Sequence, residues 1–262
     1  MIAPGMGSSL FDLSGRVAVV TGGTSGIGRT LSLGLADAGA DVVAVGRREA
    51  LVHEVADAIE ARGRRTLRLT ADVTDQAALE RVRDACVDRL GRVDVLLCAA
   101  GVTKRVATLD MTDADWQQIL ATNLTGTLRS CQVFGAAMVA RGGGRVITIA
   151  SLSSFLGFFE VAADTASKSA VAGLTRALAV EWAQAGVTVN AIVPGVFKTD
   201  LNQQLLESSR GQELLMRTPM RRFGRLDELV GATVFLASDA ASFVTGQLLV
   251  VDGGFLASGV NQ

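Results

Sequence analysis

Two short segments carry residue types suited to chemistry. The first is Thr21-Gly22-Gly23-Thr24-Ser25-Gly26-Ile27-Gly28. Glycines let the main chain approach a pyrophosphate closely, and a helix opening there presents unpaired N–H groups and a partial positive charge. Loops collect glycine for many reasons. This cluster, however, joins the apolar run 16–21 to the helix-like segment 27–38, the setting a dinucleotide site requires. The second segment is Asp164-Thr165-Ala166-Ser167-Lys168. Its i, i+4 spacing places Asp164 and Lys168 on one helix face. Such a pair reads either as an ion pair on a helix surface or as part of an acid–base site.

A third segment bears on the choice of nucleotide. An acidic residue about 18 to 20 places past the glycines would bond the ribose 2′-OH of NAD. Here the chain reads Gly46-Arg47-Arg48, with no carboxylate. A guanidinium accepts a 2′-phosphate bidentately, so NADP(H) is expected over NAD(H), with Arg47 and Arg48 as its contacts. The plainer reading is that both arginines sit at an exposed helix start.

The elements that must position these residues alternate. Strands are expected at 16–21, 41–45, 66–70, 93–98, 146–150, 187–193 and 247–251. Helices are expected at 27–38, 49–62, 75–90, 112–140, 163–185 and 225–240. Short β-branched runs separated by helices imply a parallel sheet covered on both faces. No linker, repeat or low-complexity stretch interrupts 1–262, so a single domain is expected. The least regular stretch, 197–222, is a candidate substrate lid; an ordinary surface excursion is the alternative.

Composition excludes several classes. The 262 residues are 49% hydrophobic and 19% charged with a net charge of -1, which is not a disordered chain. Near-neutrality argues against binding nucleic acid by neutralising phosphates. No uncharged apolar stretch reaches the roughly 18 residues of a membrane span, and the start lacks the pattern of a signal peptide. Cys86, Cys98 and Cys131 are odd in number and scattered, as expected of reduced thiols in a cytoplasmic protein. No His/Cys/Asp/Glu grouping has metal-ligand spacing, and His53, the one histidine, is expected at the surface.

The ordered motifs resemble the short-chain dehydrogenase/reductase family. Its Thr-Gly-x-x-x-Gly-x-Gly pattern is matched by Thr21, Gly22, Gly26 and Gly28. Further landmarks are Asp72-Val73, Ala100-Gly101, Asn123, Ser151, Lys168, Asn190, Pro194-Gly195, Thr199 and Asp252-Gly253-Gly254. The likeness runs from about Gly15 to Phe255. It implies a Rossmann-type doubly wound sheet of about seven strands in a homotetramer or homodimer. It also implies hydride transfer between NADP(H) and a carbonyl or alcohol. Asp72 and Val73 would flank the adenine, and Thr21, Gly22, Gly26, Ile27, Gly28, Ala100, Gly101, Lys168, Pro194, Gly195 and Thr199 would also line the cofactor. Cys98-Ala99-Ala100-Gly101 replaces the family's Asn-Asn-Ala-Gly.

The family's catalytic set is Asn, Ser, Tyr and Lys. The resemblance assigns Asn123, Ser151 and Lys168 to it, with Asn123 holding a water linked to the lysine. Thirteen residues after Ser151, where the family has its Tyr, stands Asp164, and the chain contains no Tyr at all. A phenol ordinarily titrates above neutral pH and a carboxyl well below it. With an ammonium beside it, Asp164 is expected to be an anion that cannot donate to a developing alkoxide. Four readings stay open. The chain is a carbonyl reductase with an inactivated site. Or it uses Lys168 or a water as proton source at reduced rate. Or it is an imine reductase in which Asp164 stabilises a cationic C=N substrate. Or it is a non-catalytic NADP(H)-binding protein.

Substrate residues are less defined. Arg105, with Lys104, follows Gly101 closely, a placement similar to that in gluconate and keto-sugar-acid dehydrogenases, where it would hold a carboxylate. A solvated loop charge is the alternative. Ser153 adds a polar group, and Phe155, Phe158 and Phe159 would wall an apolar pocket. The expected partner is a small carbonyl or imine compound.

Overall fold

The computed structural model describes residues 10–199 and 207–259. One parallel sheet runs through the molecule in the order β2-β1-β3-β4-β5-β6. Its strands are β1 (Val17–Thr21), β2 (Asp41–Val45), β3 (Val95–Cys98), β4 (Gly144–Ile149), β5 (Val187–Pro194) and β6 (Leu248–Val251). The α-helices are α1 (Gly26–Asp37), α2 (Glu49–Glu60), α3 (Gln76–Leu90), α4 (Asp113–Leu120), α5 (Gly126–Arg141), α6 (Ala162–Trp182), α7 (Ser209–Arg217) and α8 (Val230–Ala237).

β1 shows why the sheet is covered twice. Val17 and Val19 belong to the core layer that includes Leu79, Cys86 and Phe134 from α3 and α5. Ala18 and Val20 belong to the opposite layer, with Leu31 and Leu35 of α1 and Leu236 of α8. Successive side chains of a strand point to opposite faces, so both parities must be apolar. The strand order reverses between β1 and β3, which opens a crevice at the carboxyl ends of these strands. Thr21, Cys98 and Ile149 end there.

Of the expected seven strands, six occur among the described residues. Segment 66–70 makes one isolated bridge, Gly46 to Thr70. The Val42 N–H donates to the Arg65 carbonyl and the Ala71 N–H to that of Gly46, each at 3.1 Å. Between these points side chains hold the segment. Leu67 and Leu69 pack inward, while Arg68 bonds Asp57 at 2.6 Å and Glu60 at 2.7 Å on α2. Strand-like alternation is present without a ladder.

The expected helix 112–140 is also interrupted. Thr112 caps α4 through the Asp115 N–H at 3.1 Å, as its sequence suggests. Residues Ala121–Thr125 then widen into a π-turn before α5 begins. Segment 225–240 likewise divides into a 3₁₀ turn, α8 and a second 3₁₀ turn.

All three cysteines are buried and free. Burial pushes the Cys86 thiol up to about 12, and a hydrogen bond with Cys98, then burial, raise that of Cys131. Such thiols are packing residues. His53 is half-exposed on α2 beside Glu49. Among the described residues no metal-binding cluster occurs, and no helix is long and apolar enough to cross a membrane.

Candidate active site

The glycine loop is built for close approach. Gly22 has φ +72°, and a Cβ on it would lie 2.5 Å from the Ala100 nitrogen. A Cβ on Gly28 would lie 2.1 Å from the Gly22 carbonyl oxygen. Gly26 opens α1 at φ +50° with open space where its Cβ would be. Ser25, the N-cap, makes no side-chain bond to the first turn, which leaves the helix end open to an anion. Ser32 Oγ fastens the loop, its one proton shared between the Gly23 and Gly28 carbonyls at 3.1 and 2.9 Å. These features fit a dinucleotide pyrophosphate.

Thr24 packs so tightly on Gly46 that a Cβ there would meet its Oγ1 at 2.4 Å. That contact brings Arg47 and Arg48, both exposed, beside the loop. Arg47 Nη1 lies 3.6 Å from Asp72 Oδ2. An exposed pair of this kind is weak, so the guanidinium is open to a stronger anion. Burial works against the Asp72 charge, but hydrogen bonds from Thr74 and the charge of Arg47 prevail and hold its carboxyl below the ordinary value. Val73 is buried against Gly126, whose Cβ would meet it at 2.5 Å.

The π-turn carries Asn123, which is 1% exposed. Its Oδ1 accepts from the Val102 N–H at 2.8 Å, and its Nδ2 donates to the Val102 carbonyl at 3.0 Å and to Ser167 Oγ at 3.1 Å. A Cβ on Gly101 would sit 3.5 Å from Asn123 Oδ1 and 3.8 Å from Lys168 Nζ. Gly101 therefore separates two polar groups that converge on one spot. Lys168 Nζ donates to the Ile149 carbonyl at 2.7 Å.

Ser151 follows β4 in extended backbone and caps the 3₁₀ turn Leu152–Ser154, accepting from the Ser153 N–H at 3.1 Å. Ser151 Oγ donates to Ser153 Oγ at 3.3 Å, and Ser153 Oγ donates to Asp164 Oδ2 at 3.2 Å. The ion-pair reading of Asp164 and Lys168 is not realised among the described residues; Lys168 Nζ donates to the Ile149 carbonyl and acts on Asp164 through its charge alone. The expected lowering of the Asp164 carboxyl is also corrected. Burial raises it, outweighing the opposing charge of Lys168 and the bond from Ser153. Burial likewise lowers the Lys168 ammonium, with Asp164 opposing.

The cations proposed for substrate are partnered. Arg105 Nε meets Glu160 Oε2 at 2.6 Å, and Lys104 meets Asp115 at 2.7 Å. Glu160 was not singled out from the sequence. It adopts φ 63°, rare for a non-glycine residue, and its carbonyl accepts from the Val106 N–H at 2.9 Å. Of Phe155, Phe158 and Phe159, Phe158 turns inward, against Phe255 with ring centroids 6.2 Å apart, and the other two are exposed.

Pro194 ends β5, and a Cβ on Gly195 would strike Asp252 Cα at 2.5 Å. Thr199 lies just beyond. Residues 200–206 of the expected lid fall outside the described residues. Asn190 ties β5 to β6, donating to the Val244 carbonyl at 2.8 Å and accepting from the Gln247 N–H at 3.0 Å.

The chain resembles known proteins over most of its length. A family model described as enoyl-(acyl carrier protein) reductase matches residues 22–256. The chain is 41% identical over 251 residues to 2-dehydro-3-deoxy-D-gluconate 5-dehydrogenase of Escherichia coli (strain K12), covering 95% of this chain and 98% of that one. It is 39% identical to gluconate 5-dehydrogenase of Gluconobacter oxydans (strain 621H), with the same two coverages. The crystal structure of a gluconate 5-dehydrogenase from Burkholderia cenocepacia J2315, in complex with NADP and tartrate, superposes with a TM-score of 0.93 at 37% identity. It covers 97% of this chain and 100% of that one.

Proposed function

The chain belongs to the short-chain dehydrogenase/reductase family, and from that premise we propose that it interconverts a secondary alcohol and a ketone on a small sugar-acid-like substrate with NADP(H). The reading is carried by the approach of Asn123 and Lys168 to Gly101, with Ser151 linked through Ser153 to Asp164 on the helix that bears Lys168. NADP(H) supplies the hydride acceptor or donor when bound. The protein's own residues do the rest. Gly22, Gly26, Ile27 and Gly28 hold the pyrophosphate, with Arg47 and Arg48 at the 2′-phosphate. Asp72 and Val73 flank the adenine. Ala100, Gly101, Lys168, Pro194, Gly195 and Thr199 line the remainder. Ser151 meets the substrate oxygen.

Asp164 sets the rate. A carboxyl in the phenol's place is a poor proton donor at neutral pH, so ketone reduction by this chain is slow. The imine reading needs a standing anion facing the substrate. Burial works against that anion, and the Ser153 bond, which favours it, occupies Oδ2 rather than leaving it to a substrate, so alcohol–ketone chemistry is preferred. Arg105 reaches a substrate carboxylate only by leaving Glu160. The enzyme assembles as a homo-oligomer.

The test is spectrophotometric. Native chain is assayed for NADP⁺ reduction with sugar acids and polyols and for NADPH oxidation with ketones and cyclic imines. Slow, NADP-linked turnover of a hydroxy or keto acid supports the reading. Turnover of imines alone, or cofactor binding without any turnover, overturns it.

A further inference from the structure

Building on the alcohol–ketone reading above, we propose that Ser151, Ser153 and Asp164 form a directed proton relay. Ser151 takes the hydroxyl proton of an alcohol substrate, and Asp164 holds the proton delivered at the far end. The two serine bonds, 3.3 Å and then 3.2 Å, both point toward the carboxylate. This direction follows from donor counting. A serine hydroxyl has one proton and two lone pairs, and an ionised carboxylate only accepts. Ser153 therefore gives its proton to Asp164, and Ser151 gives its own to Ser153. One Ser151 lone pair accepts the Ser153 N–H. What remains for a substrate is the second lone pair, which matches an alcohol O–H and not a ketone oxygen.

The relay is clamped on both sides. Ser153 is 5% exposed, so water competes little for its hydroxyl. Ser154 Oγ donates to the Lys168 carbonyl at 2.8 Å, and Ser169 Oγ donates to the Ser153 carbonyl at 3.3 Å. The 3₁₀ turn is thus fixed to α6, the helix that carries Asp164.

The atoms balance. The carbinol C–H electron pair leaves as hydride to oxidised nicotinamide, and the C=O bond forms. The alcohol O–H breaks to Ser151 Oγ, the proton of Ser151 passes to Ser153, and that of Ser153 passes to Asp164 Oδ2. Both serines end neutral and Asp164 ends as the acid. Burial supports the assignment because it makes this carboxylate a stronger base than an exposed one.

Among the described residues the charges around Asp164 are few. Lys168 is on its own helix. The turn Leu152–Ser154, the π-turn Ala121–Thr125 and β5 bring no charged side chain. On α4 stand Asp113 and Asp115, the latter held by Lys104. Arg145 of β4 is bound to Asp239, and on α5 Arg129 bonds the Thr74 carbonyl while Arg141 bonds Asp94. In the loops before α6, Arg105 and Glu160 pair with each other. Asp164 is therefore the group whose ionisation sets direction. Alcohol oxidation rises with pH as it ionises, and ketone reduction rises as pH falls.

The experiment compares native protein with Ser153→Ala, Ser153→Thr and Asp164→Asn. With sugar acids and NADP⁺, Ser153→Ala and Asp164→Asn are each expected to lower kcat by about 10²- to 10⁴-fold with little change in KM. Ser153→Thr keeps the hydroxyl and most of the rate. The double variant is no slower than either single one, as for residues acting as a unit. In cofactor-free protein, the ¹³C carboxyl signal of Asp164, identified by its loss in Asp164→Asn, titrates at higher pH in Ser153→Ala. Retained NADPH binding shows that each variant is folded. Oxidation that survives Ser153→Ala, or an Asp164 signal unmoved by it, overturns the relay alone. A native chain that binds NADP⁺ yet oxidises no alcohol overturns the alcohol–ketone reading and the relay together.

Discussion

Gly28 lies so close under Gly22 that a Cβ added to it would stand 2.1 Å from the Gly22 carbonyl oxygen. The obstructing atom belongs to the backbone of the nucleotide loop, so it moves only if the loop opens. Gly28→Ala is therefore expected to weaken NADPH binding at least tenfold. The strain is of the overpacking kind, about 1–3 kcal/mol. Fluorescence titration and thermal melting check both effects; unchanged affinity would show that the loop does not hold the cofactor.

Arg47 is proposed to select NADP(H) over NAD(H). Its partner Asp72 is 3.6 Å away and partly exposed, a contact that a phosphate displaces. Arg47→Ala should weaken NADPH binding about 10- to 100-fold, the range of a lost hydrogen bond to a charged group, and leave NADH unaffected. Parallel titrations decide it, and equal losses for both nucleotides would refute the assignment.

Asp164→Tyr should raise ketone reduction by about 10²- to 10⁴-fold, the usual contribution of a positioned acid. kcat/KM on matched ketones for both proteins measures this. A tyrosine variant that gains nothing on any ketone would mean that carbonyl reduction is the wrong parent chemistry.

Asp164 also links stability to pH. Its folded carboxyl is raised above the unfolded value, mainly by burial. Its contribution is therefore fully present below the unfolded pKa and is lost as pH rises through the folded one. Relative to native protein, Asp164→Asn should gain Tm between the acid carboxylate range and neutrality. Melting curves across that range test the sign; a difference that shrinks as pH rises contradicts the burial argument.

Large apolar side chains stand exposed on the subunit. Val180 on α6 is 81% exposed, and Phe243, before β6, is wholly exposed. Their exposure supports an oligomer. Sedimentation at micromolar concentration should give a dimer or tetramer, and a monomer would refute it.

The sequence by itself determined what depends on neighbours along the chain. Glycines between a strand and a helix, the Thr112 cap and buried runs of both parities on β1 are local rules, and each is realised. The alternation of strands and helices set the sheet type. The pattern at 66–70 is equally local and strand-like, yet a strand exists only where a ladder forms. The tertiary structure let Leu67, Leu69 and Arg68 hold that segment by side chains instead. Asp164 shows the same limit in chemistry. Its i, i+4 spacing named a face shared with Lys168, but the folded chain gave the ammonium to the Ile149 carbonyl and the carboxylate to Ser153. Hydrogen-bond partners and burial are set by which segments meet in space, and that is decided by packing across the whole sheet rather than by spacing along one helix.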